Sequence, residues 1–261
     1  MFPVLARRYY SCMSLIATEA IVLQTFPYSE TSKIARLVTR DLGVVSVVAK
    51  GARRARSKFG ASLQLLSDGT AQLYFKANRD LHTLTEFDPE RQRHGLTRDV
   101  SRFAAAAALA ELMIRCSPQQ PHPEIFETVR AALDLLEHVP SGEVGVVGLM
   151  AMWRTVNALG FAPSLDTCVI DGAALGDVNV EFSINEGGFV CSRCAPSRET
   201  SKLPMEDRRA LVSFIQGKAP TGGVSPRHLA AHRRLCARFI KRHVAEGREF
   251  KALDFWEAGA A

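Results

Sequence analysis

The sequence predicts an α+β chain: a small five-stranded β-barrel at the amino-terminal end, then a helical domain with a cysteine-bearing insertion. Three observations carry that expectation. Between residues 14 and 90, apolar and polar side chains alternate in short runs broken by turn residues, the period-two mark of strands. From Thr97 onward the apolar period lengthens to about 3.6, the mark of helices. Between Pro163 and Pro196 both patterns give way to a Gly- and Asp-rich stretch holding Cys168, Cys191 and Cys194.

Each element has its own signal. Ile16 to Thr25 is apolar and β-branched, a first strand. Pro27 to Ser32 is a turn cluster. In Lys33 to Thr39, alternation sets Ile34, Arg36 and Val38 on one face and Lys33, Ala35, Leu37 and Thr39 on the other. Asp41-Leu42-Gly43 supplies a tight turn, and Val44 to Lys50 returns as a third strand. Phe59 to Ser67 has the spacing of a short helix. Thr70 to Phe75 and Leu81 to Phe87 form a hairpin around residues 77–80. Five strands with a helix between the third and fourth describe an OB-fold, a partly open barrel that binds oligonucleotides, although an SH3-like barrel gives similar spacing.

The helical part begins with a helix capped at Thr97 and ending near Cys116, whose stripe is Phe103, Ala107, Ala110 and Ile114. A second, Glu124 to His138, carries Phe126, Val129, Leu133 and Leu136. A third carries Val146, Leu149, Trp153 and Val156 and stops at Gly160. Another starts at Leu203–Glu206 and runs to Phe214, and a final one spans Pro226 to about Glu246. The expected organisation is a disordered extension over 1–12, an OB-fold domain over 13–92, and a helical domain over 93–261 with a zinc-knuckle-like insertion at about 164–196. Met13 reads as the natural start.

Charge is concentrated rather than spread. The chain of 261 residues has a formal net charge of +6, yet Lys33 to Lys58 alone contains eight basic residues and one acid, Asp41. The centre is Lys50-Gly-Ala-Arg53-Arg54-Ala-Arg56-Ser-Lys58, directly after the third strand. Such a loop suits a polyanion, because Lys and Arg neutralise phosphates and release their counterions. Lys33, Arg36, Lys50, Arg53, Arg54, Arg56 and Lys58 are therefore the candidate nucleic-acid-binding residues, which the resemblance given below makes DNA-binding ones. Single strands also ask for stacking platforms, and Tyr28, Phe59, Tyr74 and Phe75 lie in or near the barrel. The bland alternative for the loop is a solvated surface, and for Tyr74 and Phe75 core packing.

Cys168-Val-Ile-Asp171 and Cys191-Ser-Arg-Cys194 are two knuckles at near-zinc spacing, with Asp171 where a fourth cysteine would stand. Zinc accepts carboxylate oxygen, and four protein ligands leave no open position, so Cys168, Asp171, Cys191 and Cys194 would hold one structural zinc. The alternative is a hairpin held without metal by Phe182 and Phe189. The six cysteines make no disulfide framework, which points to a reducing cytoplasmic compartment. No apolar run approaches the ~18–20 residues needed to cross a bilayer, and residues 1–12 lack a secretory apolar core. Phosphate-loop, H-E-x-x-H, G-x-S-x-G and deaminase signatures are all missing, so no catalytic residues and no nucleotide are expected. The histidines do not cluster with carboxylates in sequence, and His228 and His232, amid arginines, read as solvated or phosphate-facing.

Phe26-Pro-Tyr-Ser-Glu30, Thr31, Leu37-Val-Thr39, Gly43, Lys50-Gly-Ala-Arg-Arg54 and Ser57 resemble the amino-terminal pattern of the bacterial RecO family. Gly160-Phe-Ala-Pro163, Leu165-Asp166, Cys168, Gly187-Gly188 and Cys191-x-x-Cys194 are similar to its zinc-knuckle segment, and Phe250-Lys-Ala-Leu253 to its closing segment. Asp171 departs from the family's fuller four-cysteine pattern. The resemblance implies a DNA repair and recombination mediator that binds single- and double-stranded DNA and anneals complementary strands. It also implies RecR and the acidic tail of the single-stranded-DNA-binding protein as partners, and help in loading the recombinase. The family's basic OB-domain residues carry over onto Lys50, Arg53 and Arg54, then Arg36 and Lys58. Two rival readings from other classes are a zinc-dependent nucleic-acid-processing enzyme and a basic adaptor for an acidic protein partner.

Overall fold

The computed structural model describes residues 14–76, 78–118, 120–176, 179–244 and 248–259. The extension expected over 1–12, and Met13, lie outside the described residues. Residues 14–94 with 117–127 form one compact unit, and residues 95–116 with 128–259 another.

The first unit holds a closed five-stranded barrel. Its strands are β1 (Ser14–Tyr28), β2 (Ser32–Thr39), β3 (Gly43–Ala49), β4 (Asp68–Phe75) and β5 (Leu81–Arg91), in the order β1-β2-β3-β5-β4 and back to β1. Only β3 and β5 run parallel; the other pairs are antiparallel. This is the OB-fold topology, so the α+β expectation holds. Closure depends on β1, whose first half pairs with β4 and second half with β2. A bulge between Val22 and Gln24 bends it between the two partners. Inward-facing Ala20, Val22, Ala35, Leu37, Val45, Val47, Leu73 and Leu84 fill the interior. Gly69 serves a second bulge, where a Cβ would sit 2.0 Å from the Asp88 carbonyl oxygen.

The short helix expected over Phe59–Ser67 does not form. The chain from Gly51 to Ser67 is a series of turns. Phe59 and Leu63 sink into the barrel core, and Leu66 and Ser67 exchange backbone hydrogen bonds of 2.8 and 2.9 Å with Val22 at the bulge. Serine side chains compete locally for the backbone. Ser62 Oγ donates to the Lys58 carbonyl, Ser67 Oγ to the Gln64 carbonyl, and Phe59 N–H donates to Ser57 Oγ. Leu66 takes a positive φ of 65°, which no helix permits. Below it, Asp68 is buried between Arg93 (3.0 Å) and Arg91 (3.1 Å).

In the second unit, α1 (Val100–Cys116) is capped by Asp99, which accepts from Ser101 N at 2.7 Å and Arg102 N at 3.2 Å. Thr97, the expected cap, instead ends a 3₁₀ turn. The predicted stripe faces the wrong way: of its four residues only Ala110 is buried, Phe103, Ala107 and Ile114 are half-buried, and the buried side is carried by Ala104–Ala106, Ala108, Leu109, Leu112 and Met113. Small side chains let α1 be covered almost all round. The helix α2 (Pro123–His138) buries Phe126, Val129, Leu133 and Leu136 as expected. Its terminal carbonyls at Leu136, Glu137 and Val139 accept from the buried Arg102 guanidinium. On α3 (Val144–Ala158), Trp153 is buried against Phe239 at 5.3 Å, and Gly160 ends the helix at φ 88°.

A three-stranded sheet, β6 (Val180–Ser183), β7 (Gly188–Val190) and β8 (Ser201–Leu203), follows in the order β7-β6-β8. Then come α4 (Met205–Ile215), α5 (Pro226–His243) and a further helix, α6 (Lys251–Ala258). The sequence reading stopped at α5. Helix α6 begins where the Glu111 carboxylate accepts from Lys251, Ala252 and Leu253 N–H groups at 2.7–3.0 Å. None of the described helices is long and apolar enough to cross a membrane.

Candidate nucleic-acid interface and metal centre

Gly51 turns the chain out of β3 at φ 72°, and Ala52 is buried. Turns closed by Arg54 N to the Gly51 carbonyl and Ser57 N to the Arg54 carbonyl follow. Arg53 locks this loop to the β1–β2 turn: its N–H donates to the Thr31 carbonyl at 2.9 Å and its guanidinium to the Ser29 carbonyl at 3.1 Å. Lys50, Arg53, Arg54, Arg56 and Lys58 are all exposed, and no Asp or Glu occurs from residue 42 to 67. Among the described residues none of the five forms an ion pair with a carboxylate. Lys58 lies 5.4 Å from the Phe59 ring.

Lys33 pairs in register with Ala49, the residue before Lys50, so it joins the loop at the barrel end. Arg36 pairs with Ser46 and Gln24 on the outer wall, the opposite face of β2. Arg40, counted in the cationic segment, is neutralised by Glu19 at 2.6 Å and Glu127 at 3.4 Å. Of the four aromatic candidates, Phe59 is buried and offers no platform. Phe75 packs against the core and stacks on His82 at 4.4 Å. Tyr28 and Tyr74 are exposed, and so is Phe26, which sequence reasoning passed over. Its signal was available: Phe26 stands two residues before Tyr28 and shares its face of the strand.

The insertion brings Cys168, Asp171, Cys191 and Cys194 together, with one ligand atom from each within 4.8 Å of all the others. Tight turns place them. Gly172 N donates to the Cys168 carbonyl, Cys194 N and Ala195 N donate to the Cys191 carbonyl, and Val169 N donates to Phe189 on β7. Gly187 takes φ 76°, and a Cβ on Gly188 would lie 2.5 Å from the Ser164 carbonyl oxygen, so this paired-glycine turn needs both. Below the cluster, Phe182 and Phe189 meet edge to face at 6.0 Å.

Three sulfurs and a carboxylate form the donor set of a tetrahedral site, and Cys191 Sγ lies 3.7 Å from Asp171 Oδ2. Asp171 is already held as a carboxylate. The Ala173 backbone N–H, then the Cys168 thiol, Cys194 and the Arg193 charge lower its pKa to about 2. Desolvation and hydrogen bonding to Cys191 and Asp171 push the Cys194 thiol up to about 12. Desolvation pushes Cys191 up too, but bonds from Cys194 and Arg193 outweigh it and bring it down. A divalent ion would take both sulfurs as thiolates. These residues fit one metal ion.

Residues 13–93 match the family model for the amino-terminal part of Recombination protein O, and residues 97–252 the model for its carboxy-terminal part. The chain belongs to the RecO family. Among curated relatives, the DNA repair protein RecO of Rhodopirellula baltica is 35% identical over 182 residues, covering 69% of this chain and 67% of that protein. The DNA repair protein RecO of Anaeromyxobacter sp. (strain K) is 33% identical over 250 residues, covering 93% and 96%. That of Rubrobacter xylanophilus is 33% identical over 195 residues, covering 74% and 77%. Both halves of the RecO resemblance in the sequence are thus met.

Within this RecO helical unit, the expectation for two histidines is overturned. His232 is 2% exposed, and its Nε2 donates to Asp207 Oδ1 at 3.1 Å, which fixes that tautomer. His228 Nδ1 lies 3.0 Å from the same oxygen and 3.7 Å from Glu206. The carboxylates stand about twenty residues upstream, and only the packing of α4 and α5 on α3 brings them over. Burial lowers the His232 pKa despite the Asp207 charge, and its Nδ1 has no partner, so a second proton would be a buried orphan donor. Burial likewise lowers His82. The unfolded chain takes up these protons near pH 6.5, the folded chain only at lower pH. Stability should therefore be full above pH 6.5 and decline as pH falls below it. Urea unfolding at pH 7.5 and 5.5 checks this: His232→Gln should lose less stability across the interval than the wild type, and an equal loss would reject His232 as a source.

Proposed function

We propose that the chain is a non-enzymatic DNA-binding mediator of repair and recombination, acting in the cytoplasm. It would bind single- and double-stranded DNA through Lys50, Arg53, Arg54, Arg56 and Lys58, with Lys33 beside them and Arg36 on the adjoining wall. Screening phosphate repulsion there lets complementary strands anneal, and RecR would be its partner in loading the recombinase. The observation that carries this reading is five exposed cations with no carboxylate partner, on a loop locked to an OB barrel. Phosphate contacts are what such an array offers, and they leave the base edges free to pair.

In the same reading the metal centre is a structural zinc site. Cys168, Asp171, Cys191 and Cys194 would hold the ion, which supplies a cross-link between two turns and no open position for chemistry. Arg193, 3.1 Å from Asp171, would offset part of the negative charge of the ligand set.

The acidic, Phe-ending tail of the single-stranded-DNA-binding protein needs cations beside an apolar floor. A cavity of about 260 Å³ in the second unit sets Lys202, Arg234 and Arg238 beside Leu203, Ala231 and Leu235, with Asp207 and His232 also in its lining, and we propose it for that tail.

Three measurements test these assignments. Arg53→Ala with Arg54→Ala should slow annealing of complementary oligonucleotides without nucleotide. It should also lower the slope of log affinity against log salt by about 1 per lost phosphate contact; an unchanged slope removes the loop from the interface. Untagged protein should contain about one zinc per chain, Cys191→Ala should lose it, and Asp171→Cys should hold it more tightly. A content far below one zinc rejects the site. A labelled acidic peptide ending in Phe should bind, and Arg234→Ala with Arg238→Ala should weaken it about tenfold, or ~1.4 kcal/mol. Unaltered peptide binding would move the tail elsewhere.

A further inference from the structure

Phe26 and Tyr28 are 37% and 48% exposed. Alternation along a β-strand sends successive side chains to opposite faces. They are two residues apart on β1, beyond its bulge, so both stand on the outer face. Across β2, Phe26 is opposite Ile34, and Ile34 is opposite Val48 on β3. Arg36 is the diagonal neighbour of Phe26 on the same wall. Tyr28 directly precedes Ser29, whose carbonyl receives the Arg53 guanidinium. Tyr74, another exposed ring of the barrel, is paired beside Leu15 at the far end of β1 and is not part of this group.

The geometry points to a stacking site for unpaired bases on Phe26 and Tyr28, placed so that a strand crossing it runs onto the cationic loop. The ligand is single-stranded nucleic acid, and the site gives the surface a preference for it over duplex. Each component has a separate physical role. Phosphates meet Arg53, Arg54 and their neighbours, a contact both forms can make and one that salt weakens. Aromatic faces take up bases only when these are not stacked within a duplex, a contact nearly independent of salt and of sequence. Arg36 beside Phe26 adds a cation at the edge of the platform. An apolar protein partner on the same rings would not need the adjoining cations, and the experiment separates the two.

This inference rests on the DNA-binding reading above, and the test keeps the two apart. Binding of an oligothymidylate, of a duplex of the same length and of an abasic strand with the same phosphates is measured at several salt concentrations. Phe26→Ala with Tyr28→Ala should weaken the oligothymidylate by about tenfold or more. The salt slope should be unchanged, and duplex and abasic binding should stay within about twofold. Phe26→Trp with Tyr28→Trp should restore the preference. Phe26→Leu with Tyr28→Leu preserves apolar bulk, and should lose the preference even if the alanine pair is poorly folded. A loss equal for all three ligands, or no loss for the oligothymidylate, overturns the stacking site. Failure of Arg53→Ala with Arg54→Ala to change the slope overturns the underlying reading instead.

Discussion

Five cations in nine residues repel one another, and a free loop of that composition would spread into solvent. Here both ends are tied down. At one end Ala52 is buried and Arg53 is bonded to the turn between β1 and β2. At the other, Phe59 and Leu63 occupy the barrel core, while Leu66 and Ser67 pair with Val22. The middle is therefore presented from a rigid base, and charge that would cost stability in a mobile loop becomes a fixed local field. The failed helix belongs to the same device. Turns let Phe59 and Leu63 fill the barrel core while Leu66 N–H donates to the Val22 carbonyl, a bond that a continuous helix would have spent within its own turns.

In the second unit a chain of aromatic contacts joins the helices to the inserted sheet. Trp153 touches Phe239, Phe239 touches Phe182 at 6.2 Å, and Phe182 touches Phe189. The inserted sheet thus shares one apolar core with α3 and α5. The four candidate metal ligands lie at the tip of this sheet and have only a small cluster of their own, around Val190 and Ala195. Aromatic packing can hold the hairpin, whereas the turns that carry the cysteines rest on their own backbone hydrogen bonds and a small apolar cluster. A metal ion acting there would order the tip and leave the hairpin to packing.

Most of the barrel was legible in the sequence because its signals are local. Period-two alternation, Gly43 in its turn and the Leu81–Phe87 hairpin each depend on a few neighbouring residues. Apart from the cap of α1, which moved two residues from Thr97 to Asp99, several misses share a different cause, a partner distant in sequence. Helix α6 starts on the Glu111 carboxylate, some 140 residues upstream. His232 is defined by Asp207, on another helix. The Phe59–Ser67 spacing looked helical until the barrel bulge claimed its backbone. In the candidate interface, charge named the loop, but only pairing registers separate Lys33, beside the loop, from Arg36, on the outer wall. The four candidate metal ligands were visible as spacing, while the close approach of Gly188 to Ser164 beside them was not.

A surface that only neutralised phosphate would bind the product of annealing at least as well as its substrates, since duplex carries the denser charge. Strands would be brought together and then kept. An added contact available only to unpaired bases changes that balance. As two strands pair, their bases leave the aromatic faces for each other, and the surface loses part of its grip at the moment pairing succeeds. On the proposed annealing reading, phosphate contacts would set how readily strands are captured, and base contacts how readily the duplex departs. The two kinds of residue need to be adjacent for one strand to feel both. On this barrel they are, because Arg53 holds the cationic loop against the turn that follows Tyr28.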